Sequence, residues 1–213
     1  MKSLFALLIF LWLPLSSHAN VIGGQVKSQT PSPLVLRTKI LSRYSCRVNQ
    51  NLGNLELRVQ LQFTNVSDQK LILYKGHDLF YQTRFRRVAM SGATSDAYEV
   101  TILNSRYFDE QPEKIDQPTP GKVFVILQPG ATFETVMTVG VGVVGSNVNR
   151  GNHALKEGEH SLQLIVSTWY KSKSLAQKMR QQWQRKGLLW FDPVVSTPVN
   201  FRVENPESQF TCR

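Results

Sequence analysis

The chain has 213 residues, of which 41% are hydrophobic and 19% charged, a balance that suits one packed domain and excludes a disordered chain. Its formal charge of +10 favours anionic partners such as acidic polysaccharide, phospholipid headgroups or nucleic acid, and carries no information about fold. The two cysteines, Cys46 and Cys212, are an even count that fits a single disulfide.

Met1-Lys2 is followed by an apolar run from Leu4 to Leu13, then Pro14 and Ser17-His18-Ala19, which puts small residues where a signal peptidase reads. The run is about half of the roughly 20 residues that span a bilayer as a helix, so residues 1–19 are expected to be a cleaved signal peptide. Lys2 leaves with the leader. No later stretch is long and apolar enough to cross a membrane, because residues 136–144 are short and interrupted by Gly140 and Gly142. The expected product is secreted or periplasmic. In that compartment Cys46 and Cys212 meet oxidants, and their bridge would close a loop of more than 150 residues. The chain-entropy relation gives roughly 4 to 5 kcal/mol for such a loop. Two free thiols, or an intermolecular link through Cys212, are the alternatives. The C-x-x-C spacing of a redox pair is missing.

Residues 20–33 read as a flexible tether, punctuated by Gly23-Gly24 and Thr30-Pro31-Ser32-Pro33. A single domain is expected over 34–213. Leu34 to Ile40 opens a series of β signals. In Leu55-Glu56-Leu57-Arg58-Val59-Gln60-Leu61-Gln62-Phe63 every second residue is apolar, which buries one face of an antiparallel strand. Leu55, Leu57, Val59, Leu61 and Phe63 should face the core. Asn65-Val66-Ser67-Asp68 supplies turn chemistry, and its N-x-S pattern also meets the glycosylation rule, although a turn accounts for it. Further strands are expected at 71–74, 79–88, 98–103, 123–127, 132–144, 161–169 and 199–203, with Gly140 and Gly142 marking a bulge or a close backbone approach. The stretch from Gln111 to Gly121, with Pro112, Pro118 and Pro120, reads as a long surface loop. Eight or nine short strands argue for an all-β sandwich or barrel.

Ser172 to Lys186 breaks the pattern. It has no proline or glycine, and Leu175, Met179 and Trp183 recur four residues apart, which predicts a helix over 172–186 stopped by Gly187. Lys171, Lys173, Lys178, Arg180, Arg185 and Lys186 populate the segment with no acid among them. These cations and Trp183 are the candidate contacts for an anionic partner, with Trp190 close by. The plainer alternative packs the apolar stripe on the sheet and leaves the cations solvated. Arg84, Arg86 and Arg87 form a second basic patch.

Leu61 to Asp68, Leu127-Gln128-Pro129-Gly130, Gly158-Glu159-His160-Ser161-Leu162-Gln163-Leu164 and the closing Ser196 to Val203 resemble the turn and strand openings of immunoglobulin-like and fibronectin-like sandwiches in bacterial exported proteins. The resemblance covers Leu34 to Val203. It implies an immunoglobulin-like antiparallel β-sandwich with a helical insertion before the last strand. The chain is also similar to the bacterial proteinase-inhibitor domain of this sandwich type, through its apolar strand, its N-x-S-D turn and its late glycine-glutamate turn. It departs from that domain where Arg84-Phe85-Arg86-Arg87 replaces a tryptophan-containing strand.

Catalytic groups are sparse. After the leader the histidines are His77, His153 and His160, none with a nucleophile motif around it, and His160 opens a strand as a structural histidine would. Three scattered histidines and two distant cysteines do not make a zinc site. The acids Asp109, Glu110, Glu113 and Asp116 sit in the proline-rich loop, where solvated charge is the default, and no phosphate-binding glycine loop is present. The expectation is a non-catalytic binding or interaction module without cofactor or metal. Its partner would be an unknown protein or an anionic polymer or surface, with nucleic acid disfavoured by the missing binding motif. Protease inhibition through a loop such as Asp109 to Lys122, and an uncharacterised hydrolase, are the alternatives.

Overall fold

The alternating run at 55–63 is the middle of a longer strand in the computed structural model, which describes residues 32–75, 80–87, 99–105, 118–145, 154–169, 172–206 and 209–212. Strand β1 (Leu34–Asn49) turns back at once into β2 (Leu52–Asn65), followed by β3 (Leu71–Tyr74), β4 (Phe80–Arg87), β5 (Glu99–Ser105) and β6 (Phe124–Leu127). Then come β7 (Thr132–Val144), β8 (Ala154–Lys156), β9 (Gly158–Ser167) and the helix α1 (Lys173–Gln182). Two short strands, β10 (Leu188–Leu189) and β11 (Val194–Val195), lead to β12 (Val199–Val203). The protein is all-β with mostly antiparallel pairing, and α1 is the single helix among the described residues.

The described strands form three sheets. In the first, ordered β1-β2-β7-β8, β2 is the centre: Leu55, Leu57, Val59, Leu61 and Phe63 are each at most 3% exposed, as their alternation requires. The opposite face carries Gln60 and Gln62, whose amides both donate to Glu134 on β7, at 2.8 and 2.9 Å. β1 runs on past Ile40 because it holds its pairing with β2 through two register shifts, at Ile40/Ser42 and Arg47/Asn49. The residues passed over, Leu41 and Val48, are apolar yet exposed, as unpaired bulge residues often are. The glycines of β7 mark no such bulge. Register with β2 is unbroken from Leu52↔Val144 to Thr64↔Thr132, and a Cβ on Gly140 would meet nothing within 4 Å.

After β2 the chain changes sheets. Asn65 fixes the exit: its buried amide donates to the carbonyls of Gln69 (2.8 Å) and Leu127 (3.0 Å), while its oxygen accepts from the Ser67 amide and hydroxyl. With both ends of the amide engaged and no exposed surface, Asn65 serves the turn and leaves no room for a glycan. β3 then pairs antiparallel with β6 and parallel with β10, making the second sheet. The third sheet has the order β5-β4-β9, with β11 and β12 sharing the remaining edge of β9. A parallel bridge from Leu36 to Ser196 ties the first sheet to the third.

Cys46 and Cys212 are joined by a disulfide across 166 residues. Main-chain bonds flank it, Arg47 N to Phe210 O (2.8 Å) and Cys212 N to Arg47 O (2.9 Å), so the last residues lie alongside β1. Phe210, 63% exposed, rests edge-on against Tyr44. Residues 1–19 and nearly all of the expected tether lie outside the described residues, as do 106–117 with the loop acids and most of the expected inhibitory loop. Among the described residues no helix is long and apolar enough to cross a membrane.

Candidate functional site

The helix is shorter than its composition predicts. It spans Lys173–Gln182, and residues 183–186 form turns. Ser172 caps its start, the hydroxyl accepting from the Leu175 amide at 3.3 Å, and the Trp169 indole donates to the Ser172 carbonyl at 3.0 Å. At the other end Trp183 is held in the core, its ring edge-on to Phe124 with centroids 4.9 Å apart. The chain must turn there to enter β10, and Gly187, at φ 153°, provides the turn. A Cβ at that position would lie 2.8 Å from the Lys70 carbonyl, which receives the Leu188 amide.

The buried stripe is Ala176, Met179 and Trp183, each at most 1% exposed, with Leu175 only half-buried. Three and four residue steps, rather than uniform fours, follow the true helical period. Trp183 is therefore a core anchor, and the sequence-based expectation that it meets a partner does not hold: a ring with 1% exposure presents no surface to stack on.

Arg180 also leaves the candidate set. Its Nε donates to the Leu189 carbonyl at 2.9 Å, and its guanidinium lies 4.2 Å from the centre of the Phe191 ring. It latches the helix to the strand that follows, a role the sequence signals only through an arginine on the flank of the apolar stripe and an aromatic eleven residues on. Lys171 lies outside the described residues.

Lys173, Lys178, Arg185 and Lys186 remain. All four are exposed, and none makes an ion pair among the described residues. Lys70, also exposed, joins them, since its Cβ would lie 3.1 Å from a Cβ on Gly187. It precedes β3 and is distant in sequence, so only the parallel pairing of β3 with β10 reveals it. The exposed residues from Ser172 to Lys186 are serines, glutamines, lysines and one arginine, with no acid and no apolar side chain. The segment thus offers cations, amides and hydroxyls on a rigid mount.

The other basic group, Arg84, Arg86 and Arg87, lies on β4 in the third sheet, whereas α1 packs on the second. His160 on β9 has no exposed surface, and its Nδ1 lies 3.0 Å from the Gly158 carbonyl. Burial holds its pKa below the ordinary 6.5; the Gly158 bond and Glu159 pull upward, and Arg87 pushes further down. It is a core histidine whose ring lies tilted beside Phe201, centroids 5.9 Å apart. His77 and His153 lie outside the described residues, among which no three His, Cys, Asp or Glu side chains gather as metal ligands. No protein-family profile and no curated protein matches the chain.

Proposed function

We propose that the protein is an exported, non-catalytic binding module, an immunoglobulin-like β-sandwich that holds an anionic partner against the outer face of α1. The reading is supported by Lys173 and Lys178 on α1 and Arg185 and Lys186 in the turn that follows it, all exposed and without ion pairs among the described residues, on a segment anchored by Trp183 and latched by Arg180. Unneutralised like charges repel one another on the surface that carries them and raise the local concentration of anions there, as an anion-gathering surface requires. Export is supported by the leader-like N-terminus and by the disulfide, a bond that persists in oxidising compartments.

The test is binding to dextran sulfate at low and at moderate salt, by the protein and by a Lys178→Glu, Arg185→Glu, Lys186→Glu variant. The expected result is salt-sensitive binding that weakens roughly tenfold or more on charge reversal while the melting temperature holds. Equal binding by both forms, or none by either, would refute the reading.

A further inference from the structure

The make-up of the exposed helical face narrows the class of anion. Lys173, Ser174, Gln177, Lys178, Gln181 and Gln182 are the exposed residues within α1. With Ala176 and Met179 turned inward, Ser174, Lys178 and Gln181 follow one another along the row facing outward. From Ser174 to Gln181 this row runs about 10 Å along a helix of about 15 Å. Lys178 therefore stands between side chains that both donate and accept hydrogen bonds, with Lys173 and Gln177 exposed beside the row.

Each class of polyanion asks for something different. A lipid surface holds an amphipathic helix by its apolar side, but here that side is occupied by the protein's own core. A nucleic acid single strand needs exposed aromatic platforms, and Trp183 is buried. Phosphate and sulfate oxygens only accept, so the amide oxygens of Gln177 and Gln181 would face them unused. Sugar hydroxyls donate and accept, as do glutamine amides and serine hydroxyls. Sugar carboxylates or sulfates, spaced along a chain, would meet the cations between them.

We infer that the partner on α1 and the turn after it is a linear acidic polysaccharide, its charged groups on Lys173, Lys178, Arg185 and Lys186 and its hydroxyls on Gln177 and Gln181. This rests on the anion-binding reading above and names its ligand class. Affinity should rise with oligomer length until the chain outspans the helix, then level off.

The experiment titrates the purified protein with polygalacturonate oligomers of graded length, inorganic polyphosphate, phosphatidylglycerol vesicles and an oligothymidine strand. A Gln177→Ala, Gln181→Ala variant, which favours the helix by propensity, runs beside it. The expected result is the tightest binding to polygalacturonate, weakened about tenfold in the variant at about fivefold or less per hydrogen bond, with polyphosphate binding unchanged. Tighter binding to polyphosphate, vesicles or oligothymidine, or a polygalacturonate affinity indifferent to the glutamines, overturns the polysaccharide assignment and leaves the anion reading standing. Failure of every polyanion to bind overturns both.

Discussion

Arg180 and Lys178 are both cations of the same short helix, two residues apart, and they do different work. Arg180 is half-buried and bonded to the Leu189 carbonyl across the face of Phe191, whereas Lys178 is exposed. Arg180→Ala should lower stability by about 1 to 3 kcal/mol, since it strands a carbonyl and removes a cation from an aromatic face. Lys178→Ala should change stability by no more than about 0.5 kcal/mol; chemical denaturation of both variants separates the roles. His160 sets a pH dependence. Its folded pKa lies below the unfolded 6.5, so between the two values the unfolded chain binds more protons, and stability falls as pH drops through 6.5 towards the folded pKa. Thermal melts from pH 7.5 to 5 should show this decline in the protein and a flatter profile in His160→Gln.

At the level of the element, α1 declines several ordinary ways of stabilising itself. No acid occupies its first turn, where the helix dipole would favour one and Lys173 is disfavoured. Glutamines, not glutamates, stand four residues from its lysines: Gln177 from Lys173 and Gln182 from Lys178. Ser174→Glu would supply both a first-turn acid and a partner for Lys178. It should stabilise the protein by about 0.5 to 1 kcal/mol and weaken polyanion binding, measured as a higher melting temperature with a lower affinity. The alternation of Leu55 to Phe63 identified β2 and its buried face, and proline-free helix formers identified α1. The second half of β1 escaped because bulges at Leu41 and Val48 break the period of two. β8, β10 and β11, two or three residues each, are too short to carry a period. The early end of α1 follows from Trp183 being fixed on Phe124, a tertiary contact that no local propensity encodes.

For the molecule as a whole, the Cys46–Cys212 bond makes the C-terminal segment part of the fold's edge. Spanning 166 residues, it should contribute about 5 kcal/mol in the chain-entropy limit. Unfolding under reducing conditions should therefore fall at a distinctly lower denaturant concentration, and an unchanged midpoint would mean that the native sheet alone sets the stability. The pairing was legible from the even cysteine count, and its path along β1 through Arg47 was not. Net charge poses the sharper question, because a protein of +10 attracts polyanions from any side. The most direct measurement compares two reversals of equal size by titration with the same polyanion at two salt concentrations: Lys178→Glu with Arg185→Glu on the helical segment, and Arg37→Glu with Lys39→Glu on exposed positions of β1. The helical pair should abolish most of the affinity, and the β1 pair should lower it only slightly. Equal losses would show that the chain binds anions by overall charge, and that α1 is no site at all.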